Sequence, residues 1–203
     1  MYRETKIADY LNALASKAPA PGGGSVAALT GAMACAMLAK VLNFTVGKER
    51  YKDVEMEMAD ILKRAGKLGD ECNKLCSDDA VAYRKLSEAF KLPKESGREE
   101  RLQNAYKEAM EVPLKVCRNA HEGIKLCPAV VKKGNTNLIT DTGIASLLFE
   151  CAFRSAALNV DVNLKGIKDE SFVRGIRDTI DKMQKEVVEI NQKVEDRVES
   201  YLK

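Results

Sequence analysis

Three consecutive glycines lead straight into a long run of small apolar residues near the start of the chain. Residues 19–25 read PAPGGGS, and residues 25–38 (SVAALTGAMACAML) contain no charged side chain. A helix with side chains this small is stable only if its neighbours pack closely on it, so we expect a central helix over residues 25–46. Ser25 stands where an N-cap belongs, and the free N–H groups of the first turn would bind a carboxylate, phosphate or carbonyl oxygen. The structural alternative is a plain turn before a helix.

Helical periodicity continues through nearly all of the remaining sequence. Short β-branched runs and the lack of a hairpin signal argue against a sheet. Between residues 51 and 90 the pattern either continues as one helix or breaks at residues 77–79. Apolar residues recur every three or four positions over residues 172–202, a seam that packs either in the bundle or against a second subunit. We therefore predict an all-α fold, a single-domain helical bundle over residues 1–203 with a long C-terminal helix.

Local signals place the ends of the later helices. Ser96 and Glu99 form a capping box for a helix that we expect to reach about residue 132 despite Pro128. Residues 133–139 are polar and predict a loop, after which Thr140 or Asp141 caps the next helix.

The charge and hydropathy pattern narrows the range of partners. The chain has 203 residues with 33 basic and 30 acidic side chains, a net charge of +3, and no cluster of Lys and Arg interleaved with aromatic residues. We therefore expect no nucleic-acid binding. Lys40 interrupts the most apolar run, and the N-terminus lacks the separate apolar segment of a signal peptide. We expect no membrane association and a cytoplasmic location.

The cysteines and the one histidine predict no metal site and no disulfide. The six cysteines form no CxxC pair and stand mostly in apolar helical segments, which is typical of buried free thiols in a reducing compartment: Cys35, Cys72, Cys76, Cys117, Cys127 and Cys151. His121 is the only histidine, and we expect it on a helix surface with no catalytic role.

Polar residues interrupt the apolar pattern in four places. These are the glycine loop with Ser25, the pair Asp78 and Asp79, the segment from Asn135 to Asp141, and the pair Asn159 and Asn163. The two asparagines are four residues apart, so they lie on one helix face, and buried amides need hydrogen-bond partners. They are candidates for holding a polar ligand, although each cluster taken alone can also be explained as helix capping.

Seven short motifs follow one another in a specific order. They are PAPGGGSVAA at 19–28, DAxAY at 79–83, FKLPK at 90–94, VPL at 112–114, GN at 134–135, TD at 140–141 and NVxxNL at 159–164. In this order and spacing, from about residue 8 to residue 190, the chain resembles the cyclodeaminase domain of the formiminotransferase-cyclodeaminase family. The formiminotransferase half has no counterpart, so the resemblance is to stand-alone members, some of which are named methenyltetrahydrofolate cyclohydrolases.

The resemblance implies folate one-carbon chemistry on an all-helical dimer, with the substrate near the subunit interface. A cyclodeaminase closes 5-formiminotetrahydrofolate to 5,10-methenyltetrahydrofolate and releases ammonia. A cyclohydrolase interconverts the methenyl and 10-formyl compounds. Both reactions pass through a tetrahedral carbon that bridges N5 and N10. The implied ligand is a tetrahydrofolate derivative as substrate, with no metal or redox cofactor, and the implied partner is a second copy of the chain.

The same resemblance assigns roles to individual residues. Asp79 is the first candidate for proton transfer and Asp141 the second, because a carboxylate is the titrating group at the matching positions. Burial would raise the pKa of Asp79 and keep it as an acid; if it stays ionised instead, its charge would stabilise the cationic methenyl product. Lys40 and Lys133 are candidates for the glutamate tail. The substrate-binding candidates are Pro21, Gly22, Gly23, Gly24, Ser25, Asn135, Thr140, Asn159 and Asn163.

Three functions therefore stay open at the level of the sequence. The first is a folate cyclodeaminase and the second a methenyltetrahydrofolate cyclohydrolase, which differs in whether ammonia or water occupies the leaving position. The third is a non-catalytic helical dimerisation module, in which the C-terminal seam is the function. Three glycines in succession argue against the third, because each costs about 0.5–1 kcal/mol of chain entropy.

Overall fold

The fold is all-α, as predicted. The computed structural model describes residues 4–93 and 97–203, in which no β-strand occurs. Short 3-10 turns lie at Glu49–Val54 and Thr136–Leu138. The α-helices are α1 (Ile7–Ala15), α2 (Gly23–Asn43), α3 (Glu55–Phe90), α4 (Arg98–Ile124), α5 (Cys127–Lys133), α6 (Ile139–Leu164) and α7 (Glu170–Leu202).

Helix α2 lies at the centre of the bundle and packs chiefly on α3 and α6. Its small side chains allow the close approach that the sequence predicts. A Cβ on Gly31 would stand 3.1 Å from Sγ of Cys72, and one on Gly69 of α3 would stand 3.2 Å from Cβ of Cys35. A Cβ at either position would be tighter than an ordinary van der Waals contact, so glycine at both positions favours the close approach of α2 and α3.

Helices α2 and α6 run antiparallel. In the middle of the pair, a Cβ on Gly31 would be 3.7 Å from Cβ of Ala152. Gly23 at the start of α2 lies beside Asn159 near the end of α6, and Lys40 near the end of α2 pairs with Asp141 at the start of α6. Both helices are long and apolar enough to cross a membrane by length and composition, although Lys40 led us to expect neither. Some 56% of the α2 window and 50% of the α6 window is buried in the bundle, as in the core helices of globular proteins.

Two expectations about helix ends in the middle of the chain are resolved. Helix α3 continues without a break through residues 77–79. The predicted helix to residue 132 is wrong, because α4 ends at Ile124 and Pro128 lies in the first turn of α5. Proline lacks an N–H and its ring clashes with the carbonyl four residues earlier, which here belongs to Ile124. Ser96 lies outside the described residues, and α4 follows Gly97, whose φ is +68°.

The start of α6 also differs from the prediction, whereas α7 agrees with it. Leu138 is the N-cap of α6, so Thr140 and Asp141 lie inside its first turn and neither is the cap. The apolar seam of the C-terminal segment forms α7, a helix of 33 residues that Asp169 caps by accepting from the N–H of Phe172 at 3.0 Å. Its apolar face is buried within the chain itself, against α4, α5 and α6.

Candidate functional site

The glycine loop and Asp79 meet at the start of α2. Helix α2 begins at Gly23, so the predicted N-cap role of Ser25 is wrong; Gly22 holds that position. The free N–H of Ser25 instead donates to Oδ2 of Asp79 at 3.1 Å. A Cβ on Gly24 would collide with the Asp79 carboxylate. The missing side chain of Gly24 is therefore what lets a carboxylate from α3 cap this helix.

The environment of Asp79 favours its protonated form. Burial raises the pKa of this carboxyl above its ordinary value, and the hydrogen bond from the Ser25 N–H offsets only part of that rise. Desolvation penalises the charged form of an acid, so the group holds its proton to a higher pH than an exposed aspartate. Asp79 is half-buried and therefore remains accessible to a ligand. The expectation of a buried acid at this position agrees with the geometry.

Beneath the loop, the hydroxyl of Ser25 belongs to a buried polar network. It is hydrogen-bonded to the hydroxyl of Tyr10 at 3.1 Å and to Sγ of Cys76 at 3.0 Å. Burial raises the pKa of the Cys76 thiol, so this thiol stays neutral. Sequence reasoning did not select Tyr10 or Cys76. Cys76 lies three residues before Asp79 and so shares its helix face, but Tyr10 carries no local signal.

Asn159 and Asn163 complete the wall opposite Asp79. Nδ2 of Asn159 donates to the carbonyl of Ser155 at 2.8 Å, and Nδ2 of Asn163 donates to that of Asn159 at 2.9 Å. These bonds fix the amides and leave each Oδ1 as an acceptor for a ligand. The cavity between the walls has a volume of about 280 Å³, and its lining includes Pro19, Gly23, Gly24, Asp79, Asn159 and Asn163.

Two loop residues predicted to bind substrate lie at the margin of this cavity. Pro21 is buried and follows a cis peptide bond from Ala20. Gly22 has open space around it, with no heavy atom within 4 Å of the place a Cβ would take. Neither is among the residues that line the cavity, which Pro19 and Ala20 line instead.

Asp141 lies at the opposite end of the bundle. Its Oδ2 pairs with Nζ of Lys40 at 2.8 Å. Gly24 and Lys40 share helix α2, so at 1.5 Å per residue the two clusters are about 24 Å apart. The prediction grouped Asp79 and Asp141 in one site, but within one chain the structure separates them. Thr140 is exposed beside Asp141.

Asn135 braces a loop at that same end. Its Nδ2 donates to the carbonyl of Phe44 at 3.1 Å, its N–H donates to Oγ1 of Thr45 at 3.0 Å, and its Oδ1 accepts from Tyr51 at 3.3 Å. Lys133, two residues earlier, pairs with Glu57 at 2.6 Å. Asn135 thus fastens the segment before α6 to the end of α2, and Lys40 and Lys133 already have carboxylate partners there.

His121 is buried between helices, so its predicted place on a helix surface is wrong. The ring is 8% exposed, and Nε2 lies 2.8 Å from Oε2 of Glu186 on α7. The six cysteines are free thiols, as predicted, and Cys151 alone among them is exposed. Within residues 4–93 and 97–203, no group of three or more His, Cys, Asp and Glu side chains is arranged to hold a metal ion.

Comparison with known proteins gives consistent matches over most of the chain. The model of the formiminotransferase-cyclodeaminase family matches residues 6–182. A methenyltetrahydrofolate cyclohydrolase of Methylorubrum extorquens is 37% identical over 96% of both chains. A formimidoyltransferase-cyclodeaminase of Mus musculus is 27% identical over 83% of this chain, which spans 32% of that longer relative. The crystal structure of formiminotetrahydrofolate cyclodeaminase from Thermotoga maritima superposes over the full length of both chains with a TM-score of 0.93 and 31% identity.

Proposed function

The chain belongs to the formiminotransferase-cyclodeaminase family, and from this premise we propose that it is a folate one-carbon enzyme that closes 5-formiminotetrahydrofolate to 5,10-methenyltetrahydrofolate with release of ammonia. The observation that carries the proposal is the carboxyl of Asp79. It lies against Gly24 in a small cavity, and burial raises its pKa.

The ring closure requires a proton donor at a fixed place. N10 of the substrate attacks the carbon of the N5-formimino group and its proton passes to the imino nitrogen, so that a tetrahedral carbon forms that carries an amino group. That amine leaves as ammonia only after protonation, and the methenyl cation remains. The neutral carboxyl of Asp79 supplies this proton, and the resulting carboxylate stabilises the cationic product by its charge.

The remaining residues of the cavity position the folate. The pterin edge carries several donors and acceptors, for which the Oδ1 atoms of Asn159 and Asn163 are suitable partners. Gly23 and Gly24 lack side chains and allow the ring to approach the backbone. Ring closure transfers no electrons, so the reaction needs no redox cofactor, and the tetrahydrofolate derivative acts as substrate.

A second candidate reaction is the hydrolysis of 5,10-methenyltetrahydrofolate to the 10-formyl compound. The observation that favours it is the Methylorubrum extorquens cyclohydrolase, which matches over 96% of both chains. Water then adds to the bridging carbon and gives one proton to the carboxylate of Asp79, which passes it to N5 as the ring opens, and the remaining hydroxyl proton is released to solvent. A helical module without catalytic activity has less support, because the full-length relatives are named as enzymes.

We also propose that the protein is a cytoplasmic homodimer that associates through α6. One face of this helix carries four apolar side chains at steps of three, eleven and four residues, and eleven residues are about three turns. They are Ile144, Leu147, Leu158 and Val162, which are 43%, 47%, 69% and 65% exposed. A two-fold axis across the middle of this face would place the Asp141 end of one chain beside the glycine loop of the other. Asp141 would then contribute to a site that it cannot reach within its own chain.

An absorbance assay tests the function. The purified protein is mixed with 5-formiminotetrahydrofolate, and the methenyl chromophore is followed together with ammonia release. Growth of both signals at the same rate is the expected result. Loss of added methenyltetrahydrofolate to the 10-formyl compound, without activity on the formimino substrate, would assign the cyclohydrolase instead. A folded protein that is inactive in both assays would refute both reactions.

A further inference from the structure

A second cavity opens directly beside the cavity of the glycine loop. It has a volume of about 620 Å³, and Pro19, Ala20 and Tyr83 line both cavities. We call it the outer cavity; Ser77 and Arg84 also line it. Because the two cavities share part of their walls, a ligand seated against Gly24 can extend past Tyr83 into the outer one.

The inner cavity is small for a whole folate. Sites for ligands of this size have volumes of roughly 300–1,000 Å³, and the inner cavity has only about 280 Å³. If the pterin and the reacting carbon lie beside Asp79, the aminobenzoyl ring and the glutamate must lie outside. Tyr83 stands at the junction and is 49% exposed, so its ring can pack against an aromatic ring that passes there.

Among the described residues that line the outer cavity, Arg84 is the one cation. Arg84 is exposed, and among the described residues its guanidinium has no ion pair or hydrogen bond. The planar guanidinium matches a carboxylate with two parallel hydrogen bonds. Asp78 is the only acidic residue among those that the structure describes in the lining, so these residues together do not repel an anion.

A third cavity lies between α3 and α4, shares Asp78 and Val81 with the outer cavity, and is less suitable for an anion. Its lining contains Asp78, Glu108 and Glu111 against Lys85 and Lys115, an excess of acidic groups. Lys85 is already paired with Glu108 at 3.0 Å. A carboxylate that entered this cavity would therefore meet more like charges than opposite ones.

We propose that the outer cavity binds the glutamate tail of the folate substrate and that Arg84 holds its carboxylates. This inference rests on the proposed function, since it takes a folate to be the substrate. It replaces Lys40 and Lys133, whose ammonium groups are already paired with the carboxylates of Asp141 and Glu57. Arg84 is then a specificity residue that distinguishes glutamylated from tail-less pterins.

The test compares two substrates on two enzymes. The formimino or methenyl substrate is prepared with its glutamate and as the tetrahydropteroate, which lacks it. For Arg84→Gln we expect KM for the glutamylated substrate to rise by about three- to tenfold, with kcat unchanged. The KM for the tetrahydropteroate should be the same in wild type and variant. The matched control is Lys85→Gln, the next residue on the helix, which should leave both KM values unchanged.

The outcomes separate the two proposals. An active wild type in which Arg84→Gln changes neither KM, or changes both equally, overturns the tail site and leaves the proposed function intact. A wild type that turns over neither substrate rejects the proposed function and the tail site with it. Arg84 is exposed, so its substitution is not expected to disturb folding, and the helical circular dichroism of the variant checks this.

Discussion

At the scale of single residues, the centre of the site is the carboxyl of Asp79, which is partly removed from water. Burial raises the pKa of Asp79, so the folded chain binds this proton more tightly than the unfolded chain does. The stability that this proton gives is fully present below the unfolded pKa and is lost as the pH rises through the folded pKa. At neutral pH the group therefore lowers stability while it serves the proposed chemistry.

The first prediction concerns Asp79→Asn. Asparagine keeps an oxygen that can accept from the Ser25 N–H but cannot donate the catalytic proton, so kcat should fall by about 100- to 10,000-fold. The variant should unfold at a higher temperature than wild type at pH 7, because an amide is already neutral and needs no proton uptake to be buried on folding. Steady-state kinetics and thermal unfolding measure the two effects.

The control for that prediction is Asp70→Asn, an exposed aspartate on the same helix. It should change neither kcat nor the unfolding temperature appreciably. Near-normal turnover by Asp79→Asn would remove Asp79 from the mechanism. In wild type, kcat should decline as the pH rises through the raised pKa of Asp79.

The second prediction concerns Gly24→Ala. The added Cβ collides with the Asp79 carboxylate, which must turn away and give up its bond to the Ser25 N–H. We expect kcat to fall at least tenfold together with a lower unfolding temperature. The control Gly66→Ala lies in open space on α3 and should stabilise the protein by about 0.5–1 kcal/mol. Normal activity in Gly24→Ala would show that the fit between these two residues is not needed.

The glycine loop also shows what could be predicted for a single residue. The triplet correctly marked a helix start that accepts a carboxylate, because glycine and helix-forming residues are local signals. The carboxylate itself is 54 residues away in the chain, so its identity came from the resemblance and not from the loop. His121 was misplaced for the same reason, since its partner Glu186 is 65 residues distant.

At the scale of helices, periodicity predicted the helix bounds that depend on local sequence and missed those that depend on packing between helices. The apolar seam over residues 172–202 predicted nearly the observed bounds of α7, Glu170–Leu202, because its apolar face is regular. Pro128 ends α4 four residues earlier, as proline chemistry requires, yet Pro113 lies inside α4 without ending it. Packing of α4 on both α3 and α6 offsets one missing hydrogen bond.

The third prediction concerns the link between α4 and α7. The hydrogen bond from His121, and then the charge of that ring, hold the pKa of Glu186 below its usual value. An acid with a lowered pKa adds stability above its unfolded pKa and loses it as the pH falls through the folded pKa. Glu186→Gln should therefore unfold at a lower temperature than wild type at neutral pH, and the difference should shrink as the pH falls below the ordinary pKa of a glutamate, about 4.3, and vanish below the lowered pKa of Glu186 in the folded chain.

Thermal unfolding at several pH values checks this prediction. Glu189→Gln is the matched control, because Glu189 is exposed on the same helix one turn away. The unfolding temperature of Glu189→Gln should equal that of wild type at every pH. A deficit in Glu186→Gln that stays constant down to pH 3 would mean that the carboxylate charge contributes nothing to the α4–α7 contact.

At the scale of the whole molecule, the small-residue helices explain both the tight bundle and its incomplete surface. Helices α2 and α6 are apolar on nearly every face, and the bundle buries only about half of each apolar window. The face of α6 with Ile144 and Leu147 stays exposed. The sequence showed the apolar character of both helices, but only the packing shows which face is left uncovered.

The last prediction tests whether two chains share one site. Asp79→Asn and Asp141→Asn should each be inactive alone. Mixed in equal amounts and allowed to exchange subunits, they should regain about a quarter of wild-type activity, since half of the dimers are mixed and each has one intact site.

The same mixture made with Ile144→Glu and Leu147→Glu in both chains should stay inactive and sediment as monomers. Met56→Glu, at an apolar position that is 90% exposed elsewhere, should leave the restored activity and the dimer unchanged. An active Asp141→Asn, or a mixture that recovers nothing while it remains dimeric, would place the whole reaction in one chain around Asp79.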